Sequence, residues 1–175
     1  MIGMSQMELK RVKTREEIEE AAMLAREIWT EHFTPIIGEG QVEYMLEHFQ
    51  SAPAISEMIA SAYFYQFIIL DGVTVGYTAY RPQTEGEEAF LFLSKLYIKK
   101  EFRGRKLASF ALSQMEAYCR EARISAVRLT CNRHNENTLA VYRSLGFKVL
   151  KEQDADIGGG YFMNDYVMEK KVEQE

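Results

Sequence analysis

The sequence predicts a mixed α/β fold, a single layer of sheet with helices on its faces. Three observations predict it. Tyr63 to Leu70, Thr74 to Arg81 and Ala89 to Ile98 are three runs rich in aromatic and β-branched residues, and the first two are joined by Asp71-Gly72, a strong hairpin signal. From Arg103 the apolar period lengthens, with Leu107, Ala111, Met115, Tyr118 and Ala122 three or four apart. A short apolar run, Ala126 to Thr130, follows that helix, so a crossover sets it parallel to the strand before the helix.

The other elements follow in order. Apolar and charged residues alternate over Glu8 to Val12, a first strand. Thr14 stands three residues before Glu17, a capping box. Behind it Ile18, Ala21, Ala22, Ala25, Ile28, Trp29 and His32 recur at helical spacing. This helix is expected to end near Phe33, because Pro35 disfavours a helical Thr34. A second helix is expected from Glu39 to Gln50, with Val42, Met45, Leu46 and Phe49 on one face, closed by Ser51-Ala52-Pro53. Ile55 to Ala60 fits either class, and Gln83 to Glu88 reads as a polar loop. Asn135 or Asn137 starts a short helix ending at Gly146, a good C-terminal cap. Phe147 to Lys151 and Tyr161 to Lys170 are two last strands, with Gly158-Gly159-Gly160 near their turn.

Composition narrows the function. The chain of 175 residues is expected to form one domain, with ordinary globular values of 47% hydrophobic and 27% charged residues. No stretch approaches the roughly 20 apolar residues of a membrane span. The start, with Met1, Met4 and Met7, lacks the pattern of a signal peptide, so a cytoplasmic protein without membrane contact is expected. Cys119 and Cys131 have neither disulfide nor metal spacing and read as core residues, and no metal is expected. The net charge is -5, yet Lys95, Lys99, Lys100, Arg103, Arg105 and Lys106 crowd one stretch. A basic spot on an acidic chain points to a small anionic ligand rather than to nucleic acid. That stretch joins a strand to a helix start, where unpaired N–H groups and the positive end of the helix dipole favour phosphate.

Two motifs carry a family resemblance. Leu96-Tyr97-Ile98 followed by Arg103-Gly104-Arg105-Lys106-Leu107-Ala108 is similar to the acetyl-CoA loop of the GCN5-related N-acetyltransferases, Gln/Arg-x-x-Gly-x-Gly/Ala, with Lys106 where the middle glycine usually stands. The run from Asn135 to Phe147, with Tyr142 and Gly146, resembles that family's asparagine-to-Tyr-x-x-x-Gly-Phe segment. The similarity covers roughly Tyr63 to Lys170. It implies the acyl-CoA N-acyltransferase fold: a central, mostly antiparallel sheet splayed between its fourth and fifth strands, with helices on both faces. It also divides the single domain into a helical acceptor side, residues 14–50, and an acetyl-CoA core, residues 63–170.

The resemblance implies residue roles as well. The backbone amides of Arg103, Gly104, Arg105, Lys106, Leu107 and Ala108 would wrap the diphosphate of acetyl-CoA, with the Lys106 side chain projecting outward. The main chain of Leu96, Tyr97 and Ile98 would take the pantetheine arm like an added strand. Asn135 and Asn137 read either as helix caps or as partners of that arm. Tyr142 would protonate the departing thiolate as general acid, its alternative being an aromatic core residue. Trp29, Phe33 and Ile36 are expected to wall the acceptor pocket or else to pack in the core. Glu31, Glu39 and Glu43 read as solvated helix charges, so no general base is named. The function so implied is acetyl transfer to a primary amine of a small molecule or peptide. A CoA-binding regulatory domain without transfer is the alternative, and pairing through the C-terminal strands would make a homodimer.

Overall fold

The computed structural model describes residues 5–174, so Met1 and Met4 lie outside the described residues. The elements run β1 (Met7–Arg11), α1 (Arg15–Ile37), α2 (Glu39–Phe49), α3 (Ala52–Ala60), β2 (Phe64–Leu70), β3 (Val73–Glu85), β4 (Glu88–Ile98), α4 (Leu107–Ala122), β5 (Ala126–Asn132), α5 (Glu136–Ser144), β6 (Lys148–Gly158) and β7 (Tyr161–Lys171). The strands hydrogen-bond in the order β1-β2-β3-β4-β5-β7-β6. The described residues divide into two compact units, one holding residues 5–80 with Lys95–Ala111, the other Arg81–Ser94 with residues 112–174.

In the first unit β1 pairs antiparallel with β2, and β2 with β3. The β2–β3 turn places Asp71 at φ 49° and Gly72 at φ 82°. Both central residues are left-handed, as a two-residue hairpin of matching twist requires. Thr14 and Glu17 form the expected reciprocal cap: the Glu17 N–H donates to the Thr14 hydroxyl at 3.1 Å, and the Thr14 N–H to the Glu17 carboxylate at 2.9 Å. The N–H groups of Thr14 and Lys13 hold the Glu17 carboxyl below its ordinary range.

Two expectations for this unit are corrected. α1 runs through Pro35 to Ile37 instead of ending near Phe33. Pro35 removes only its own N–H, and the helix ends at Gly38, whose φ of 85° turns the chain and whose N–H reaches the Thr34 carbonyl at 3.0 Å. Ser51-Ala52-Pro53 does not merely close α2; it opens α3. Ser51 accepts the Ala54 N–H at 3.4 Å, and Pro53 lies in the first turn, where a missing N–H costs no hydrogen bond.

In the second unit β4 and β5 pair in parallel, Leu91 with Val127 through Leu93 with Leu129, as the crossover predicts. β7 lies antiparallel to both β5 and β6. β3 continues to Glu85, so most of the expected loop from Gln83 is strand and the turn centres on Gly86. β6 extends to Gly158 rather than stopping at Lys151. Arg128 binds Glu169 at 2.7 Å, Glu88 at 2.5 Å and Glu85 at 3.2 Å, and stands 4.4 Å above the Phe90 ring. Cys119 and Cys131 are buried, which pushes their thiols up to about 11 and about 12, away from thiolate chemistry.

Candidate active site

The first unit carries the junction between β4 and α4. Lys99 leaves the strand with its N–H on the Val75 carbonyl at 2.8 Å, and Lys100–Phe102 make one 3-10 turn. Gly104 follows at φ 77° and Lys106 at φ 62°. α4 then starts at Leu107, and the Lys106 carbonyl accepts the Phe110 N–H at 3.0 Å. The helix thus begins after the cations rather than with Arg103. The departure at Lys106 is confined to its side chain. Its backbone adopts the left-handed conformation that favours glycine, and the side chain is exposed.

The cations of the stretch separate by role. Arg103 donates from Nε to the Ile98 carbonyl at 3.1 Å, tying the loop to the strand end. Arg105 reaches the Glu101 carbonyl at 3.5 Å and lies 5.1 Å from the Phe102 ring. Lys99 and Lys100 approach Glu27 and Glu31 of α1 at 3.7 and 4.0 Å. Lys95 does not belong to this basic surface: it is 5% exposed and points into the core. Leu107 is buried and Ala108 half-buried, which anchors the helix start, and a Cβ added at Gly104 would meet open space. A loop with two left-handed residues and outward side chains can present successive N–H groups to a diphosphate.

Leu96, Tyr97 and Ile98 are half-buried at the end of β4. Gly76 on β3 permits their position: a Cβ there would stand 2.3 Å from the Tyr97 carbonyl oxygen and 3.1 Å from the Ile98 Cα. Sequence reasoning missed Gly76. Its signal was a glycine inside an otherwise β-branched run, which marks close backbone approach. The Tyr97 ring packs 5.3 Å from Trp29, 6.0 Å from Phe33 and 5.4 Å from Tyr77. Trp29 is 3% exposed and donates from Nε1 to the Tyr77 hydroxyl at 3.1 Å. Trp29 and Phe33 therefore serve the core, while Ile36 is half-buried. Glu43 pairs with Arg26 at 2.8 Å, a surface contact like that of Glu31.

The second unit carries Tyr142 and Asn135. Asn135 is buried and starts α5 with its main-chain carbonyl, which accepts the Leu139 N–H at 3.0 Å. Its carboxamide makes no capping bond, so the cap reading does not account for that side chain. Asn137 is exposed in the first turn. Tyr142 is 8% exposed and lies edge-on to Phe147 with ring centres 5.6 Å apart. The chain turns at Gly146, φ 101°, and the Phe147 N–H returns to the Tyr142 carbonyl at 3.0 Å, a Schellman closure. Burial, with Cys131 nearby, pushes the Tyr142 phenol above its ordinary range, so it keeps its proton at neutral pH.

The chain is similar to known proteins. The model of the acetyltransferase (GNAT) family matches residues 22–147, and the chain belongs to that family. It is 26% identical over 163 residues to a spermidine N(1)-acetyltransferase of Thermoplasma acidophilum, covering 90% of this chain and 93% of that one. Among solved structures, the PaiA N-acetyltransferase of Thermoplasma acidophilum in complex with coenzyme A superposes with a TM-score of 0.75 at 23% identity, over 95% of this chain and 99% of that one. A GCN5-related N-acetyltransferase from Rhodopseudomonas palustris gives 0.73 at 13% identity, over 98% of each chain. The family's fold, with a mixed sheet and a parallel β4–β5 pair, is the one expected from the sequence.

Proposed function

We propose that the protein transfers the acetyl group of acetyl-CoA directly to a primary amine. Family membership supports acetyl transfer, and the backbone of the 103–108 loop supports the cofactor. The observation that carries the reading is the left-handed Lys106, which keeps a glycine-like main chain where the motif lacks its glycine. In this reading the amides of Arg103 through Ala108 hold the diphosphate, and the main chain of Leu96, Tyr97 and Ile98 takes the pantetheine arm and polarises the thioester carbonyl. Asn135 and Asn137 hydrogen-bond the same arm. The bound thioester supplies an activated acetyl group; the amine must lose its proton before it attacks. Tyr142 then donates its proton to the departing sulfur.

For the acceptor, the likeness to a spermidine acetyltransferase favours a polyamine, and the net charge of -5 agrees with a cationic substrate. Trp29, Phe33 and Ile36 would shape its pocket, with the first two acting from the core. The reading includes a cytoplasmic setting, in which two unpaired thiols stay reduced, and a homodimer through the exposed edge strand β6. The test is thiol release from acetyl-CoA with a panel of amines that includes spermidine. Turnover with at least one polyamine is expected. A thermal shift by CoA without turnover on any amine would instead make the chain a CoA-binding regulatory domain.

A further inference from the structure

Lys95 lies in the first unit on β4, in a polar chain that the proposed chemistry does not use. Its Nζ donates to the Phe49 carbonyl at the end of α2, 2.5 Å away, and stands 3.5 Å from the Tyr65 hydroxyl. It also lies 5.3 Å from the centre of the Tyr65 ring. Its own carbonyl accepts the Thr78 hydroxyl at 2.7 Å. The next residue of α2's end, Gln50, is buried, and its side-chain oxygen accepts the Tyr77 hydroxyl at 3.0 Å. Tyr77 in turn accepts from Trp29. One run of hydrogen bonds and one peptide step thus joins Lys95 to Phe49, Gln50, Tyr77 and Trp29.

We propose that Lys95 is a positioning residue for the amine acceptor, acting through the carboxyl end of α2. The acceptor part rests on the proposed function, in which Trp29 and Phe33 shape that pocket. Releasing Phe49 would let Gln50 shift, Tyr77 would lose its acceptor, and Trp29 would lose the fixed oxygen that orients it. The groups turned toward Lys95 are the Tyr65 phenol from β2 and the Phe49 carbonyl from α2; from β3 come the Thr78 hydroxyl and, through Gln50, the Tyr77 phenol. From α1 comes Trp29, through Tyr77. On α2 the neighbouring His48 is exposed and bonds the Tyr44 carbonyl. Among the described residues, no carboxylate pairs with Lys95. Tyr65 and Tyr77 are pushed upward by burial and stay neutral.

Burial pushes the Lys95 ammonium down to about 7 from an ordinary 10.5. When the end of α2 lifts and water reaches Lys95, its affinity for the proton returns toward the ordinary value. Between those limits the open form holds a proton that the closed form lacks, so opening becomes harder as pH rises, by up to about tenfold per pH unit. Protonation therefore loosens the latch.

The test is hydrogen exchange of the last turn of α2 in the full chain between pH 7 and 9, corrected for intrinsic base catalysis, beside steady-state kinetics. Wild-type protection is expected to rise with pH toward that tenfold slope, and Lys95→Met to remove the slope. Lys95→Met is also expected to raise the acceptor KM several-fold while leaving kcat and the acetyl-CoA KM nearly unchanged. Tyr77→Phe should raise the same KM and keep the slope, which serves if Lys95→Met does not fold. A flat wild-type profile, an unchanged slope in Lys95→Met, or an unaltered acceptor KM in both variants overturns the proposal. If no amine is acetylated, the proposed function falls, and the exchange slope by itself decides whether Lys95 holds α2.

Discussion

Gly76→Ala probes, from β3, the stretch of β4 proposed to take the cofactor. The added Cβ would stand 2.3 Å from the Tyr97 carbonyl oxygen and 3.3 Å from the Ile98 Cγ1, where ordinary contact begins near 3.4 Å. The nearest atom is backbone, so no side chain can swing away; β3 and the end of β4 must part by about 1 Å. The neighbouring bond from the Lys99 N–H to the Val75 carbonyl, 2.8 Å long, would stretch with them. Overpacking of this kind costs about 1–3 kcal/mol, which for a chain of this size lowers Tm by roughly 2–12 °C. If Leu96, Tyr97 and Ile98 hold the pantetheine arm, a shift of that size weakens acetyl-CoA use by up to about 100-fold. Scanning calorimetry gives the first quantity, and the acetyl-CoA KM with a CoA thermal-shift titration gives the second. An unchanged Tm would refute the steric argument. A lowered Tm with an unchanged KM would show that this stretch of β4 is not where the cofactor lies.

Tyr142→Phe should retain CoA affinity and lower kcat by about 100-fold or more, since general acid catalysis contributes on that scale; unchanged turnover removes Tyr142 from the chemistry. Lys106→Gly relieves a left-handed strain of about 1 kcal/mol against a similar gain in unfolded-chain entropy, so its Tm should stay level or rise slightly with CoA affinity kept. Lys106→Val should lose both stability and CoA affinity, because a β-branched residue resists that φ; a loss of CoA binding in Lys106→Gly would mean that the ammonium, not the backbone, matters. Asp165 is buried on β7 and its carboxyl is pushed up to about 6 from 3.8, chiefly by burial. The folded chain binds the extra proton between those values, so Asp165 lowers stability as pH rises from about 4 to 6. Asp165→Asn should therefore raise Tm at pH 7, by no more than about 3 kcal/mol of stability, and leave it nearly unchanged at pH 4; an equal gain at both pH values would contradict the assignment.

What was legible in the sequence was local. The Thr14 and Glu17 cap, the Asp71-Gly72 turn, the Leu107–Ala111–Met115 stripe and the Gly146 stop each involve neighbours within a turn or two of chain, and each stands where it was expected. The parallel β5 followed from one topological rule. What escaped depended on distant partners. Pro35 reads as a stop, yet the helix carries it because Phe33 and Trp29 pack beneath the last turns. The acidic end of β6, Glu152 to Asp156, lay beyond the expected strand end at Lys151 because an edge strand need not alternate; it pairs with β7, and Glu152 and Asp154 bind Arg133. Lys95 looked like one more surface cation, since no local pattern reveals that Phe49, distant in the sequence, turns its carbonyl toward it. At the candidate site, the loop and Tyr142 could be named from their motifs, whereas the role of Gly76 depends on which backbone atoms of the neighbouring strand it faces, a register that local sequence does not set.

A crystal structure of the protein with CoA bears most directly on the central claim. The account predicts diphosphate oxygens within about 3 Å of the N–H groups between Gly104 and Ala108, with Gly104 and Lys106 keeping their left-handed backbones. A diphosphate bound elsewhere, or held by lysine and arginine side chains while those amides stay uninvolved, would contradict it.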